Sequence, residues 1–594
     1  MHTKIILLIL QLLSSTVLYD NDNRTFLNKT NIIPNNWEYT SLKNYNDKIH
    51  YFILLKQENV DILEKELIDR SNPKSNNYGN WLSKNEIDSI VFTKRNNMNV
   101  VKRWLVNNNN YNCYENVDSL YCSSYIKNVE TLFNTKMKMY RNNKTNKIIY
   151  SGREYGYSIP SYLNGIIDLV LGIVDFPENR NELKLKPSLE DNINYTAPIT
   201  IRKLYNMSKY HFNNVSSQAV AEFQGDNCFN LDNLNGFTKD NNLEKVNIES
   251  KNIWGDCNTS SPYPDTEATL DIQYQVGVND NAKQMYVSVS EWMYQFASLL
   301  YNSSNPPLVN SMSWGWAERQ QCSQPVFPQC SIGGDAEVYT KRTNIEFMKL
   351  GLRGVSLIAS SGDAGAPGRT NEPCIGNHLL NPAFPASSPW VLTVGGTMIS
   401  NPKIYKEDDI ELCKKNRCII GGEEMNCNYN NVQWTAGGGF SNYFERPWWQ
   451  VNTSESYLHS KTKFPPKKLF NRKGRVYPDL SLIAHNFLIN MGNFYGGVDG
   501  TSASSPSVSG MIGILNNLRL SQKKPSLGPV GPLLYQMYNE CKDCFKDLVI
   551  GSNNSTEYGN CKYGYWATKG YDAVYGLGLP NFDKIYHYIE KMSN

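Results

Sequence analysis

Histidine is scarce in this chain, with seven in 594 residues, at positions 2, 50, 211, 378, 459, 485 and 587. None of the last five stands in a Gly/Thr/Ser-rich setting such as H-G-T, so nothing local marks an imidazole base. An excess of one charge is missing too. Lys and Arg number 59 against 56 Asp and Glu, a formal net charge of +3, which leaves no electrostatic case for a nucleic-acid partner. After the N-terminus no apolar run reaches the ~18 residues of a membrane span, so no transmembrane helix is expected. The C-x-x-C at Cys541 and Cys544 lacks a second copy or a nearby histidine, and reads as structural rather than metal-binding.

The N-terminus does carry an apolar stretch, "IILLILQLLSSTVL" after Lys4, ending in small residues near Ser14 to Thr16. Its length suits a cleaved secretory signal over residues 1–18. Sequons headed by Asn23, Asn28, Asn143, Asn194, Asn206, Asn214, Asn258, Asn302, Asn452, Asn553 and Asn554 agree with secretion. Thirteen cysteines in an oxidising compartment favour disulfides. Cys113 and Cys122 are expected to pair, Cys322/Cys330 and Cys413/Cys418 are close pairs, and the odd total leaves one thiol over.

At this length two or more folding units are expected. Residues 50 to 135 mix strand signals ("IHYFILLK", "LYCSSY") with amphipathic helices ("NVDILEKELIDRSNP", "NMNVVKRWLVNNN"), an α+β unit of roughly 150 residues. The polar stretch from Asp175 to Pro198 reads as a linker. Beyond it, apolar strands alternate with helices: "KQMYVSVS", "WMYQFASLLYN", "PPLVNSMSWG", "TNIEFMKLGLRG", "VSLIASSG". That order predicts an α/β fold with a mostly parallel sheet covered on both faces, whose chemistry gathers beyond the carboxyl ends of the strands.

A serine at a strand-to-helix turn, Ser502 in "VDGTSASSPSVSG", looks like a nucleophile, and it needs a base. With histidine unpromising, carboxylates come forward. In "DTEATLDIQY", Glu267 and Asp271 stand four apart with helical spacing and share a face, in surroundings short of charge. Two like charges in a buried site share a proton, and a glutamate with an ordinary pKa of about 4.3 is a competent base in acid. Asp363 follows a strand in the glycine-rich turn "SSGDAGAPG".

"GTSASSP", "DTEATLDIQY", "SSGDAGAPG", "FPASSPWVLTVGGT", "GGGFSNYFERP" and "RVYPDLSLIA", in this order-independent set, together resemble the sedolisin family of serine-carboxyl peptidases, over almost the whole chain. The resemblance implies a subtilisin-like fold preceded by an α+β prosegment. It divides the chain into a signal at 1–18, a prosegment at 19–190 and a peptidase domain at 191–594. It implies Ser502 as nucleophile, Glu267 as general base, Asp271 as its orienting partner, and Asp363 as the protonated acid that donates to the oxyanion. It implies one structural Ca2+ near the C-terminus, held by Asp547 and Asp572 with carbonyls of Leu548, Thr568 and Gly570. The implied activity is release of tripeptides from free N-termini of peptides or unfolded proteins in a lysosome or acidic vacuole, with the prosegment as intramolecular inhibitor, cut between Leu183 and Pro198. Alternatives are a sedolisin-like endopeptidase, a histidine-based subtilisin-like enzyme, and a non-catalytic binding protein of the same fold.

Overall fold

The computed structural model describes residues 23–592, apart from 28–32, 34–35, 41–43, 144–145, 177–185, 188–192, 209–214, 225–227, 322–335, 370–373 and 375–378. The expected signal, the Cys322/Cys330 pair, and His2, His211 and His378 lie outside the described residues. No helix among the described residues is long and apolar enough to cross a membrane. The chain divides into two compact units.

The first unit holds the described parts of Met1–Lys56 and Thr93–Asp175. Its main sheet is antiparallel, in the order Cys113–Glu115, Ser119–Tyr125, Lys48–Leu55, Ile167–Leu171. In "KIHYFILL" the alternate residues Ile49, Tyr51, Ile53 and Leu55 are buried. They join a core with Val101, Trp104 and Leu105 from the helix Arg95–Asn107, and with Val129, Leu132 and Phe133 from the helix Ile126–Phe133. Cys113 and Cys122 face each other across adjacent strands and form the expected disulfide. This is the α+β arrangement expected ahead of the peptidase.

The second unit contains residues 57–92 and most of the chain from Phe176 onward. Its large sheet runs Asn194–Tyr195, Arg417–Asn426, Leu392–Ile404, Ser356–Ser360, Val309–Met312, Ser217–Phe223, Lys283–Val289, Ile253–Trp254, with Leu480–Ile483 also on Leu392–Ile404. Every pairing is parallel except that of Leu392–Ile404 with Arg417–Asn426. The parallel strands are buried nearly throughout, as helix-covered strands must be.

The stretch read as a linker ends earlier than Pro198. Asn194–Tyr195 pairs with Arg417–Cys418, Thr196 bridges to Phe487, and Tyr195 and Ala197 are buried. The polar composition of the stretch hid two apolar side chains that seal its end into the core.

Residues 57–92 pack within the peptidase unit. The Trp81 indole donates to the carbonyl of Ser526 at 2.9 Å, and Leu82 N donates to the carbonyl of Leu352 at 2.8 Å. The indole lies against Gly354 and Gly528, where an added Cβ would come within 2.5 and 2.3 Å of the ring. Both glycines have positive φ, so only glycine fits these positions.

Two buried ionic groups tie loops to the sheet. Arg475 and Asp479 of "RVYPD" form an ion pair at 2.6 Å, and Asp479 also accepts from Thr393 N. Glu318 is fully buried and accepts from Ser387 Oγ, Ser441 Oγ and Asn442 N. Burial pushes its pKa up to about 7, with these donors pulling the other way.

The sign of that shift sets a stability profile. A carboxyl whose pKa is raised by folding contributes stability in full below its unfolded value and loses it as pH rises through its folded value. The urea midpoint of the protein is therefore expected to fall between pH ~4.5 and ~7 on account of Glu318, by an amount worth on the order of a few kcal/mol. Glu318→Gln should flatten that limb when urea unfolding is followed at several pH values; an unchanged slope would exclude Glu318 as its source.

Candidate active site

The helix Thr501–Ser521 begins at the nucleophile turn, and its first nineteen residues, Thr501 to Arg519, are buried. Its approach is set by glycine: Gly500 has φ of 138°, and a Cβ there would lie 3.2 Å from Asp363 Oδ2. Asp363 Oδ1 accepts from both the backbone N and the Oγ1 of Thr501, each at 2.8 Å. The structure thus brings Asp363 onto the turn that carries Ser502. Asp363 is itself fixed from behind, since Thr435 N donates to its carbonyl and Gly437 N to that of Gly362. The glycines of "GGGF" permit this, because a Cβ on Gly437 would come within 2.1 Å of the Ser361 carbonyl.

Pro506 sits inside the helix and has no N–H, so the carbonyl of Ser502 loses its intrahelical partner. Ser313 supplies a replacement: its Oγ donates to that carbonyl at 3.2 Å. The Ser502 Oγ in turn donates to the carbonyl of Ser313 at 3.3 Å. The serine is 2% exposed. Ser504 and Ser505 point elsewhere, Ser504 onto the Thr501 carbonyl and Ser505 onto Ser311.

Glu267 and Asp271 lie one turn apart on the helix Thr266–Val278, capped by Asp265, whose side chain accepts from Ala268 N. Every residue from Glu267 to Val278 is buried. Polar side chains make this possible by bonding outward: Gln273 to the backbone of Asn490, Tyr274 to the carbonyl of Thr196, Gln275 to Ala219 and Ser509. The helix lies directly on the nucleophile helix, with Gly510 against Val278 and Gln275.

Two residues of this neighbourhood went unnoticed in the sequence. Glu222, fully buried at the end of the strand Ser217–Phe223, accepts from the Trp314 indole at 2.7 Å. The charges of Glu222 and Asp271 both act on the Tyr286 phenol, whose pKa burial and these charges push well up. A single carboxylate within "AVAEFQG" carries no sequence signal, and its partner is 92 residues away.

Near the C-terminus the loops of the expected Ca2+ site also meet. Asp547 Oδ2 accepts from Gly570 N, Asp572 Oδ2 from Thr568 N, and Asp572 Oδ1 from Val574 N and Tyr575 N. Asp572 is fully buried, which pushes its pKa up to about 7, with the nearby Asp547 charge adding to the rise. No group of three or more His, Cys, Asp or Glu side chains assembles as a metal cluster among the described residues. Two carboxylates on loops that also carry the Leu548, Thr568 and Gly570 carbonyls form an all-oxygen donor set, which suits a hard cation.

The cysteines resolve further. Cys413–Cys418 pairs as its spacing suggests, and the C-x-x-C closes on itself as Cys541–Cys544. Cys228–Cys257 and Cys374–Cys561 are also bonded, and Cys427 is a buried free thiol. Of the sequons, Asn553 is 1% exposed and its Nδ2 donates to the carbonyls of Gly438 and Ala573, so the folded chain offers no glycan acceptor there.

A parallel α/β sheet with a buried serine at the start of its central helix defines a subtilisin-like peptidase. Residues 35–176 match the pro-kumamolisin activation domain, and residues 174–529 match the subtilase family. Physarolisin of Physarum polycephalum is 34% identical over 548 residues, covering 91% of this chain and 93% of that protein. Tripeptidyl-peptidase 1 of Dictyostelium discoideum is 29% identical over 603 residues, covering 93% and 91%. A solved Pseudomonas sedolisin, a serine-carboxyl proteinase, is 23% identical over 67% of this chain and 98% of that one, with a TM-score of 0.49. The chain belongs to the subtilase family, as a sedolisin-type serine peptidase with an activation domain ahead of it.

Gly500→Ala tests the packing of Asp363 on the nucleophile turn. The positive φ and the 3.2 Å approach together should cost about 1–3 kcal/mol and displace Asp363. Peptidase activity should fall more than the melting temperature alone accounts for; full activity in a folded variant would contradict the close approach.

Proposed function

We propose that this chain is the zymogen of an acid-acting serine-carboxyl peptidase that releases tripeptides from free N-termini. The observation that carries the reading is the packing of the buried Glu267/Asp271 helix on the helix Thr501–Ser521, whose first residue, next to Ser502, donates to Asp363. Ser502 Oγ attacks the scissile carbonyl carbon while Glu267 takes its proton. Glu267 then returns the proton to the leaving amine, and water, activated by the same carboxylate, hydrolyses the acyl-enzyme. Asp271 orients Glu267 and shares its proton. Both bonds from Thr501 go to Asp363 Oδ1, so a proton on Asp363 belongs on Oδ2, from which it donates to the oxyanion. That role requires a neutral acid, and hence an acidic medium.

The exopeptidase reading draws on the likeness to a protein named tripeptidyl-peptidase 1. The prosegment reading draws on the activation-domain match and on the seating of residues 57–92 in the peptidase unit. Maturation falls upstream of Ile193, since the residues after it are built into the sheet. Secretion to a lysosome or acidic vacuole is the route that fits a signal at 1–18 and an acid optimum.

Acid-treated protein, offered one peptide with a free N-terminus and its acetylated twin, tests the activity. Tripeptides from the free peptide alone are expected; cuts inside the acetylated one indicate an endopeptidase, and none in either a binding protein. Ser502→Ala and Glu267→Ala should reduce turnover to near background. Asp363→Ala should cost ~10²–10³-fold in kcat, the worth of one oxyanion donor. Near-normal turnover in any folded variant removes that residue from its role.

One Ca2+ at Asp547 and Asp572 would neutralise two carboxylates held together and cross-link their loops. At a hundredfold excess over its Kd such an ion adds about 2.7 kcal/mol. Chelation should lower the melting temperature of the wild type and leave Asp547→Asn/Asp572→Asn unmoved. An equal response from both proteins would place the ion elsewhere.

A further inference from the structure

His485 and Asp499 make a contact that the mechanism above does not use. The His485 Nδ1 lies 2.7 Å from Asp499 Oδ1, with the two side chains 19% and 15% exposed. Asp499 is the residue before Gly500, and so stands three positions ahead of Ser502. Its Oδ1 also accepts from Asn486 N at 2.7 Å. One carboxylate oxygen therefore gathers the 485–486 turn onto the nucleophile turn.

The 484–486 turn is a junction. Gly500 N donates to the carbonyl of Ala484, and Ala484 N to that of Thr397. Thr196 Oγ1 donates to the His485 carbonyl, Thr196 N to that of Asn486, and Asn486 Nδ2 to that of Asn194. Asn486 adopts the left-handed conformation, φ 52°, that so tight a turn requires. Residues 194–196, the strand Leu392–Ile404 and the turn before Ser502 thus meet here. The His485–Asp499 contact adds an ionic one to these hydrogen bonds.

At 2.7 Å an imidazolium at His485 and the Asp499 carboxylate make an ion pair through proximity of charge. Histidine changes charge between about pH 5 and 8. The buried Cys427 thiol, whose pKa burial raises well up, also feels the charges of Asp499, Asp363 and Glu424. Tyr195 approaches the preceding strand at Gly497.

We propose that His485 and Asp499 are positioning residues: their ion pair holds the turn before Ser502 in its reactive setting. The proposal rests on Ser502 as the nucleophile. His485 acts through Asp499 and touches no reacting atom.

The test compares acid-matured wild type with His485→Asn, His485→Ala and Asp499→Asn over pH 3 to 7, with Ser502→Ala as the reference for lost chemistry. Asn places an amide near the Nδ1 position and cannot titrate. His485→Ala should lower kcat roughly tenfold at acid pH with KM little changed, the scale of one charge-assisted bond. His485→Asn should recover part of that loss and show a shallower fall in kcat toward neutral pH than wild type. The double variant His485→Ala/Asp499→Asn should lose no more than the worse single variant, as coupled residues do.

Unchanged kcat and pH profile in both His485 variants, or additive losses in the double variant, would overturn the proposal. A loss in His485→Asn as deep as that of Ser502→Ala would also overturn it, by making His485 the base. If His485→Ala fails to fold, the pH profile of His485→Asn decides. If wild type itself is inactive, or Ser502→Ala active, the peptidase reading has failed instead.

Discussion

The site depends on two helices that approach closely because glycines of one leave room for the other. Gly510 of the nucleophile helix faces Val278 Cβ and the Gln275 carbonyl, where an added Cβ would come within 2.8 and 2.9 Å. One turn on, Gly513 meets Asn279 and Gln218 just as closely. Any larger residue would push Thr266–Val278 away from Thr501–Ser521, and Glu267 and Asp271 away from the serine. Packing this close leaves few voids, and a low local dielectric strengthens charge interactions.

Placing carboxylates in so dry a setting has a consequence for the medium. Glu318 and Asp572 are fully buried, and for both burial raises the pKa to about 7. Glu222, Glu267 and Asp271 are equally enclosed. Buried acids are cheapest when protonated or paired. For Glu318 the raised pKa makes the folded state more favourable in acid.

Much of the fold was legible because its units have clear periods. "KIHYFILL" alternates and forms a half-buried strand, while "VSLIAS" is apolar throughout and forms a central parallel one. The turn at Ser502 and the Glu267/Asp271 spacing were visible because each lies within a few consecutive residues. What escaped is what the fold assembles from distant pieces. Glu222 meets Trp314, His485 meets Asp499, and Ser313 repairs the bond that Pro506 removes. The sequon at Asn553 misled for the same reason, since its burial depends on Gly438 and Ala573. Composition also hid the end of the linker, where Tyr195 and Ala197 are core residues within a polar stretch.

The central claim is that a carboxylate, and no histidine, activates Ser502. Trapping the acyl-enzyme tests it most directly. Mature protein is mixed with a slowly hydrolysed peptide ester in acid, quenched within seconds, digested and mapped by mass spectrometry. The account predicts an acyl group on Ser502 that forms in wild type and in His485→Asn, and fails to form in Glu267→Ala. An adduct on another residue, or one that forms at full rate without Glu267, would contradict it.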